Sequence, residues 1–202
     1  NATLALFGRK KSDETGAATE TGEAKQPEPV AFSPEKAQKF FDYAKNAAET
    51  GRHEYAMGLW LGGLKHDPSS MYGLESFLKS AVNFSGKPGK ELFKAAEGRG
   101  PADKYVQALL NWGLKIGEPP LAVKAVQAAA KLDLGEQAHY IGEQALKLVA
   151  AKPKKDQFVK LMEAFATVGA YELAVQAGDA AVRMDPSDGG LATDVKNMSA
   201  RQ

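Results

Sequence analysis

Three histidines, His53, His66 and His139, are the side chains of this 202-residue chain best suited to act as a base or a metal ligand near neutral pH. None has a second histidine four residues away, the spacing that sets two imidazoles on one helix face for zinc. His53 opens a predicted helix, and His66 sits in a last helical turn, where a cation is favoured. His139 stands among Gln137, Ala138 and Tyr140. All three read as surface or capping residues. The absence of cysteine removes disulfides, thiolate metal sites and thiol nucleophiles. Asp185-Pro186-Ser187-Asp188-Gly189-Gly190 could pass for the start of a calcium loop, but no carboxylate occupies its twelfth place, so it reads as a helix stop. Lys152, Lys154 and Lys155 form a small basic cluster that suits a solvated turn better than a phosphate site. There is no phosphate-binding glycine loop and no Gly-x-Ser-x-Gly elbow. These residues predict a protein that is not an enzyme, with no catalytic residue, no metal and no cofactor.

Charge narrows the partners. With 26 basic and 25 acidic side chains the formal charge is +1, so no field of one sign draws the chain onto nucleic acid or an anionic membrane. Between Ser33 and Pro186 there are 20 basic and 18 acidic side chains, too even for the usual basic stripe of a nucleic-acid binder. Apolar runs fall short of the roughly 18 residues that a membrane span needs. The chain therefore reads as soluble and cytoplasmic. The one stretch with another reading is Thr3-Leu4-Ala5-Leu6-Phe7-Gly8-Arg9-Lys10-Lys11, which also fits the last turn of a truncated membrane segment followed by its basic stop.

The elements that carry these residues are helices. Residues 1–32 are rich in Gly, Thr, Glu and Pro and poor in large apolar side chains, so they predict a flexible linker. At Ser33-Pro34-Glu35 a capping residue, a proline suited to the first helical position and an acidic residue mark the start of a folded domain over 33–186. Beyond it, apolar residues recur at helical spacing, broken every 14 to 18 residues by Gly or Pro, with no strand-like alternation. The predicted helices are 34–50, 53–66, 70–84, 88–98, 102–116, 119–132, 136–151, 155–168 and 171–184. A tail over 187–202 carries Leu191, Val195 and Met198 at amphipathic spacing and predicts one or two further turns. In the helix over 102–116, Tyr105, Leu109, Trp112 and Ile116 form one apolar stripe and Val106, Leu110 and Leu114 another. That helix should be sandwiched, the alternative being an exposed Trp112 that anchors a partner.

Two segments repeat. FFDYAKNAAETGRHEYAMGLWLGGLKHDP places Phe40, Tyr43, Ala44, Ala47, Gly51, Ala56, Trp60, Gly63 and Pro68 where FVKLMEAFATVGAYELAVQAGDAAVRMDP places Phe158, Leu161, Met162, Phe165, Gly169, Ala174, Gly178, Ala181 and Pro186. The pattern resembles that of the tetratricopeptide (TPR) family: a bulky residue, a large and a small one, a glycine turn, an alanine with a bulky residue four on, and a closing proline. Small residues such as Ala44, Ala56 and Gly63 would let paired helices approach, with Phe40 and Trp60 filling the gaps between neighbouring pairs. A weaker copy covers Pro119 to Lys152, its glycine displaced to Gly135. The interval from Pro68 to Pro186 is 118 residues, three and a half periods of 34, and so predicts seven helices with one slip in pairing at Ser85–Pro88 and Gly98–Pro101.

The resemblance implies an all-α, right-handed α-solenoid of about nine helices with an irregular middle, whose first helices line a concave groove for a peptide or protein segment. Carried over residue by residue, the groove falls on Phe41, Lys45 and Ala48, on Val123 and Gln127, and on Val159, Glu163 and Ala166. Phe41 and Lys45 stand where chaperone-binding members carry a Lys and an Asn for a terminal carboxylate, which argues against that ligand. Two rival readings remain: a homo-oligomer whose repeats stack through their end helices and the tail, and a helical-repeat nucleic-acid binder.

Overall fold

The computed structural model describes residues 31–202, and ten helices occur among them. They are α1 (Pro34–Glu49), α2 (His53–His66), α3 (Met71–Asn83), α4 (Lys90–Ala95), α5 (Pro101–Leu114), α6 (Pro119–Lys131), α7 (Gly135–Ala151), α8 (Lys155–Thr167), α9 (Tyr171–Met184) and α10 (Gly189–Ser199). No strand occurs among the described residues. The alternative membrane segment at Thr3–Lys11, and the expected linker apart from residues 31 and 32, lie outside the described residues.

Neighbours in sequence pack as pairs: α1 on α2, α6 on α7 and α8 on α9, with α10 closing on α9. The fold is thus an all-α stack of helix pairs. Its starts are set by local chemistry. Pro34, Pro101 and Pro119 occupy first-turn positions, where their missing N–H costs nothing. Ser70 Oγ accepts from Gly73 N at 3.0 Å and caps α3, and Asp188 Oδ1 accepts from Leu191 N at 3.0 Å and caps α10. Ser33 makes no such side-chain bond; its N–H donates to His66 O at 2.7 Å and ties the start of α1 to the end of α2.

The turns within the three good pairs share one geometry. Gly51 and Gly169 take φ of 78° and 74°, and the next residue's N–H reaches back to a carbonyl five residues earlier: Arg52 to Ala47 and Ala170 to Phe165, both at 2.9 Å. In the pair α6–α7 this left-handed place is held by Asp133, φ 54°, with Leu134 N donating to Ala129 O at 3.0 Å. Gly135, expected to be the displaced turn glycine, is instead the first residue of α7. An aspartate tolerates the left-handed region better than most side chains, so the turn survives without glycine. The closing turns repeat as well, since Ser69 Oγ and Ser187 Oγ each donate to the preceding aspartate, Asp67 and Asp185, at 2.6 Å.

Phe41 takes the gap-filling place expected of Phe40, and neither phenylalanine lines the groove between α1 and α3. Phe40 lies within the first pair, against Gly62 of α2 and 5.4 Å from the His66 ring. Phe41 is the residue that fills the junction with the next element. Its ring sits on Gly63 of α2 and Gly73 of α3, 5.7 Å from the Trp60 ring and 5.9 Å from Tyr72. A Cβ at Gly73 would come within 2.7 Å of Phe41 Cζ, so the close approach requires glycine there.

The slip in pairing falls where expected. Seven helices, α3 to α9, lie between Pro68 and Pro186, and the irregular one is α4. It spans six residues where eleven were expected, because it starts only after Pro88 and Gly89 and stops ahead of a Gly98 at φ 142°. It lies against α2 and pairs with neither α3 nor α5, while α2 also receives α3 and α5. Gln137 of α7 bridges this region, its Nε2 donating to Ser69 O at 2.7 Å. The helix α5 is sandwiched: Tyr105, Leu109 and Trp112 are fully buried, and Trp112 Nε1 donates to Ile116 O at 3.1 Å. Trp112 is therefore no exposed anchor. The tail forms a helix of 11 residues, longer than the turn or two expected.

Candidate functional site

The first helices of the pairs present the face on which a groove was expected. α6 and α8 pack directly on one another, whereas α1 and α3 make little direct contact and leave a groove of about 340 Å³ between them. Lys45, Ala48 and Glu49 line it from α1, with His53 and Trp60 from α2 and Tyr72, Ser76, Lys79, Ser80 and Asn83 from α3.

Its floor is held by aromatic packing and one buried hydrogen bond. Trp60 meets Tyr72 edge to face at 5.4 Å, and its Nε1 donates to Ser80 Oγ at 3.0 Å. Satisfying the indole N–H inside the core fixes the ring and leaves Tyr72, about half exposed, as the groove's apolar shelf. Lys45 and Lys79 are exposed on opposite walls, and among the described residues neither joins an ion pair. Asn83 Nδ2 donates to Lys79 O at 3.0 Å, which holds the amide at the end of α3. His53 Nδ1 is shut off from the surface without a hydrogen-bond partner. The groove can thus offer two ammonium groups, the Glu49 carboxylate, a hydroxyl, an amide and an aromatic face.

Of the eight positions expected to line a groove, this one contains Lys45 and Ala48. Phe41 and Val123 are buried, at 4% and 0% exposure, and present nothing to a partner. The reason for Phe41 is the junction it fills on Gly63 and Gly73. Gln127 and Val159 are half-buried and Glu163 is exposed, on α6 and α8 and outside this groove. Ala166 lines a separate recess of about 220 Å³ with Tyr171, Met198 and Arg201. The α3 wall was missed because its segment matches the repeat poorly. It was nonetheless legible: Tyr72, Ser76, Lys79 and Asn83 recur at steps of four, three and four, opposite the buried Leu74, Phe77, Leu78 and Ala81.

The remaining candidates resolve into structural roles. Lys155, from the basic cluster, bonds to Asp185 at 2.7 Å and Asp188 at 2.9 Å, so the stretch that could pass for a calcium loop is braced by an ammonium. His139 lies 3.7 Å from Glu143 on the surface of α7. Leu191 and Val195, two of the three tail residues that the rival homo-oligomer reading pairs between copies, are buried against α9. No helix among the described residues is long and apolar enough to cross a membrane.

No family model matches the chain, and neither a curated protein nor a solved structure matches it.

Proposed function

We propose that this chain is a non-catalytic interaction module, built of helix pairs on the tetratricopeptide pattern, that holds an extended peptide or protein segment in the α1–α3 groove. The observation that carries the reading is the groove itself: two lysines without an ion pair line opposite walls of an aromatic floor, one of them on α1, a helix that the repeat pattern assigns to binding. The family likeness is supported by the two repeats 118 residues apart, which share turn glycines, backbone bonds and closing Asp-Pro-Ser hydrogen bonds.

Affinity capture from the source organism with three baits tests it: the native chain, the Lys45→Glu/Lys79→Glu variant and a Lys196→Glu control on α10. Both groove substitutions are at exposed positions and should change stability by no more than about 0.5 kcal/mol. Partners held by the native chain and the control should be lost from the groove variant. Retention of every partner by that variant would show the groove assignment to be wrong.

A further inference from the structure

The slip in the helix pairing leaves a slot on α2 and α5 that α4 fills only in part. The segment 84–100 enters it with few apolar anchors: Leu92 and Ala96 are buried, at 3% and 2% exposure, Phe84 at its start is half-buried against the core, and Phe93 is 45% exposed. Underfilling shows as space on both sides. The segment forms one wall of an apolar groove of about 660 Å³ along α2 and one wall of a second groove, about 430 Å³, against α3 and α5. Both of its ends are glycine-rich, with Gly86 and Gly98 at φ of 116° and 142°, so rotation there meets little side-chain hindrance.

Four side chains from outside the segment hold it, each through its backbone. Glu54 of α2 accepts from Gly89 N at 2.6 Å, Lys65 of α2 donates to Glu97 O, Gln107 of α5 donates to Ala96 O and Gly98 O, both at 2.9 Å, and Asp103 of α5 accepts from Gly100 N at 3.0 Å. Most of these bonds are at exposed positions, where water competes for the same groups. Little buried area, flexible ends and solvent-accessible latches are the features of a part that opens below the free energy of global unfolding.

We propose that residues 84–100 are a strap that opens as a unit from α2 while the helix pairs stay folded, and that its opening joins the two flanking grooves into one apolar slot. The strap governs how much of the α2 face is available, and it does so independently of the α1–α3 groove.

A disulfide lock tests this. A Cβ placed at Gly58 would lie 3.5 Å from Ala95 Cβ, within the span of a disulfide, and the chain has no cysteine of its own. Native-state hydrogen exchange would be followed on the full chain and on Gly58→Cys/Ala95→Cys, oxidised and reduced. In the native chain and the reduced variant, amides of α4 should exchange on the order of 100-fold faster than those of α2 and α5. Oxidation should bring them down to the α2 rate. The proposal is overturned if α4 in the native chain exchanges no faster than α2 and α5, or if the bridge leaves α4 exchange unchanged. A second pair, Lys65→Met and Gln107→Leu, keeps the test open should the bridge prevent folding. Each should speed α4 exchange about 10-fold and leave α8 and α9 as they were, since loss of one latch costs on the order of 1 kcal/mol; an equal rise in every helix refutes the strap.

Discussion

Tyr105 shows what a single residue costs when the surrounding stack closes over it. Its ring is fully buried in α5 and its hydroxyl meets no hydrogen-bond partner in the protein, and burial pushes its phenol pKa far above the ordinary value of 10.0. A buried unsatisfied hydroxyl costs roughly 1–3 kcal/mol, so Tyr105→Phe is expected to leave packing intact and to raise stability by about 1 kcal/mol in denaturant unfolding. A loss of stability would mean that the hydroxyl is satisfied. Phe41 teaches a related lesson at the same scale. Its neighbour Phe40 has the same chemistry and nearly the same sequence context, and only the glycines it meets on α2 and α3 decide which ring enters the junction.

At the scale of elements, turns and braces set the order of the stack. Asp133 occupies the left-handed place that glycine holds in the other two pairs. Because a side chain there is strained, Asp133→Gly is expected to raise the melting temperature through a gain of up to about 1 kcal/mol. Gly169→Ala should move it the other way. The start of α8 is braced to the α9–α10 turn by Lys155. Hydrogen bonds to Asp185 first and Asp188 second raise the Lys155 pKa above its ordinary 10.5. The bond from Lys155, helped by Ser187 for Asp185 and by the Leu191 N–H for Asp188, holds both carboxyls below their ordinary 3.8. The carboxylates therefore contribute stability that is complete above pH 3.8 and lost as pH falls through their lowered values; the lysine's share is complete below 10.5 and lost as pH rises through its raised value. Melting of the native chain should fall off at both extremes, and Lys155→Met should flatten both limbs, modestly, because all three groups are partly exposed.

For the whole molecule, the ends of the stack matter as much as its middle. α10 covers α9 with Leu191 and Val195 and turns Thr193, Asp194, Lys196 and Asn197 outward. Such a polar outer face is what a terminal repeat needs to stop stacking. Val195 sits over Gly178, where a Cβ would come within 2.5 Å of its Cγ2. A chain ending at Pro186 would expose that face of α9, and it is expected to melt at lower temperature and to associate with rising concentration in sedimentation velocity. If the truncated chain stays monomeric and equally stable, α10 is not a cap.

The sequence by itself determined the order of the helices and the extent of most of them, α4 and α10 excepted. Helical spacing of apolar residues, prolines in first turns and glycines at left-handed turns are local effects, so the boundaries at His53–His66 and Tyr171–Met184 were readable to the residue. The repeat of 118 residues likewise predicted the seven intervening helices and the site of the slip. Of the groove, Lys45 and Ala48 were reached through the family resemblance, while the α3 wall went unread although its residues recur at helical spacing. Only the tertiary structure decided which of two adjacent phenylalanines is core, that α1 and α3 stand apart, and that α4 lies on α2. Those outcomes depend on which surfaces meet across the stack, through contacts between residues far apart in the chain, and such contacts leave no periodic mark on either partner.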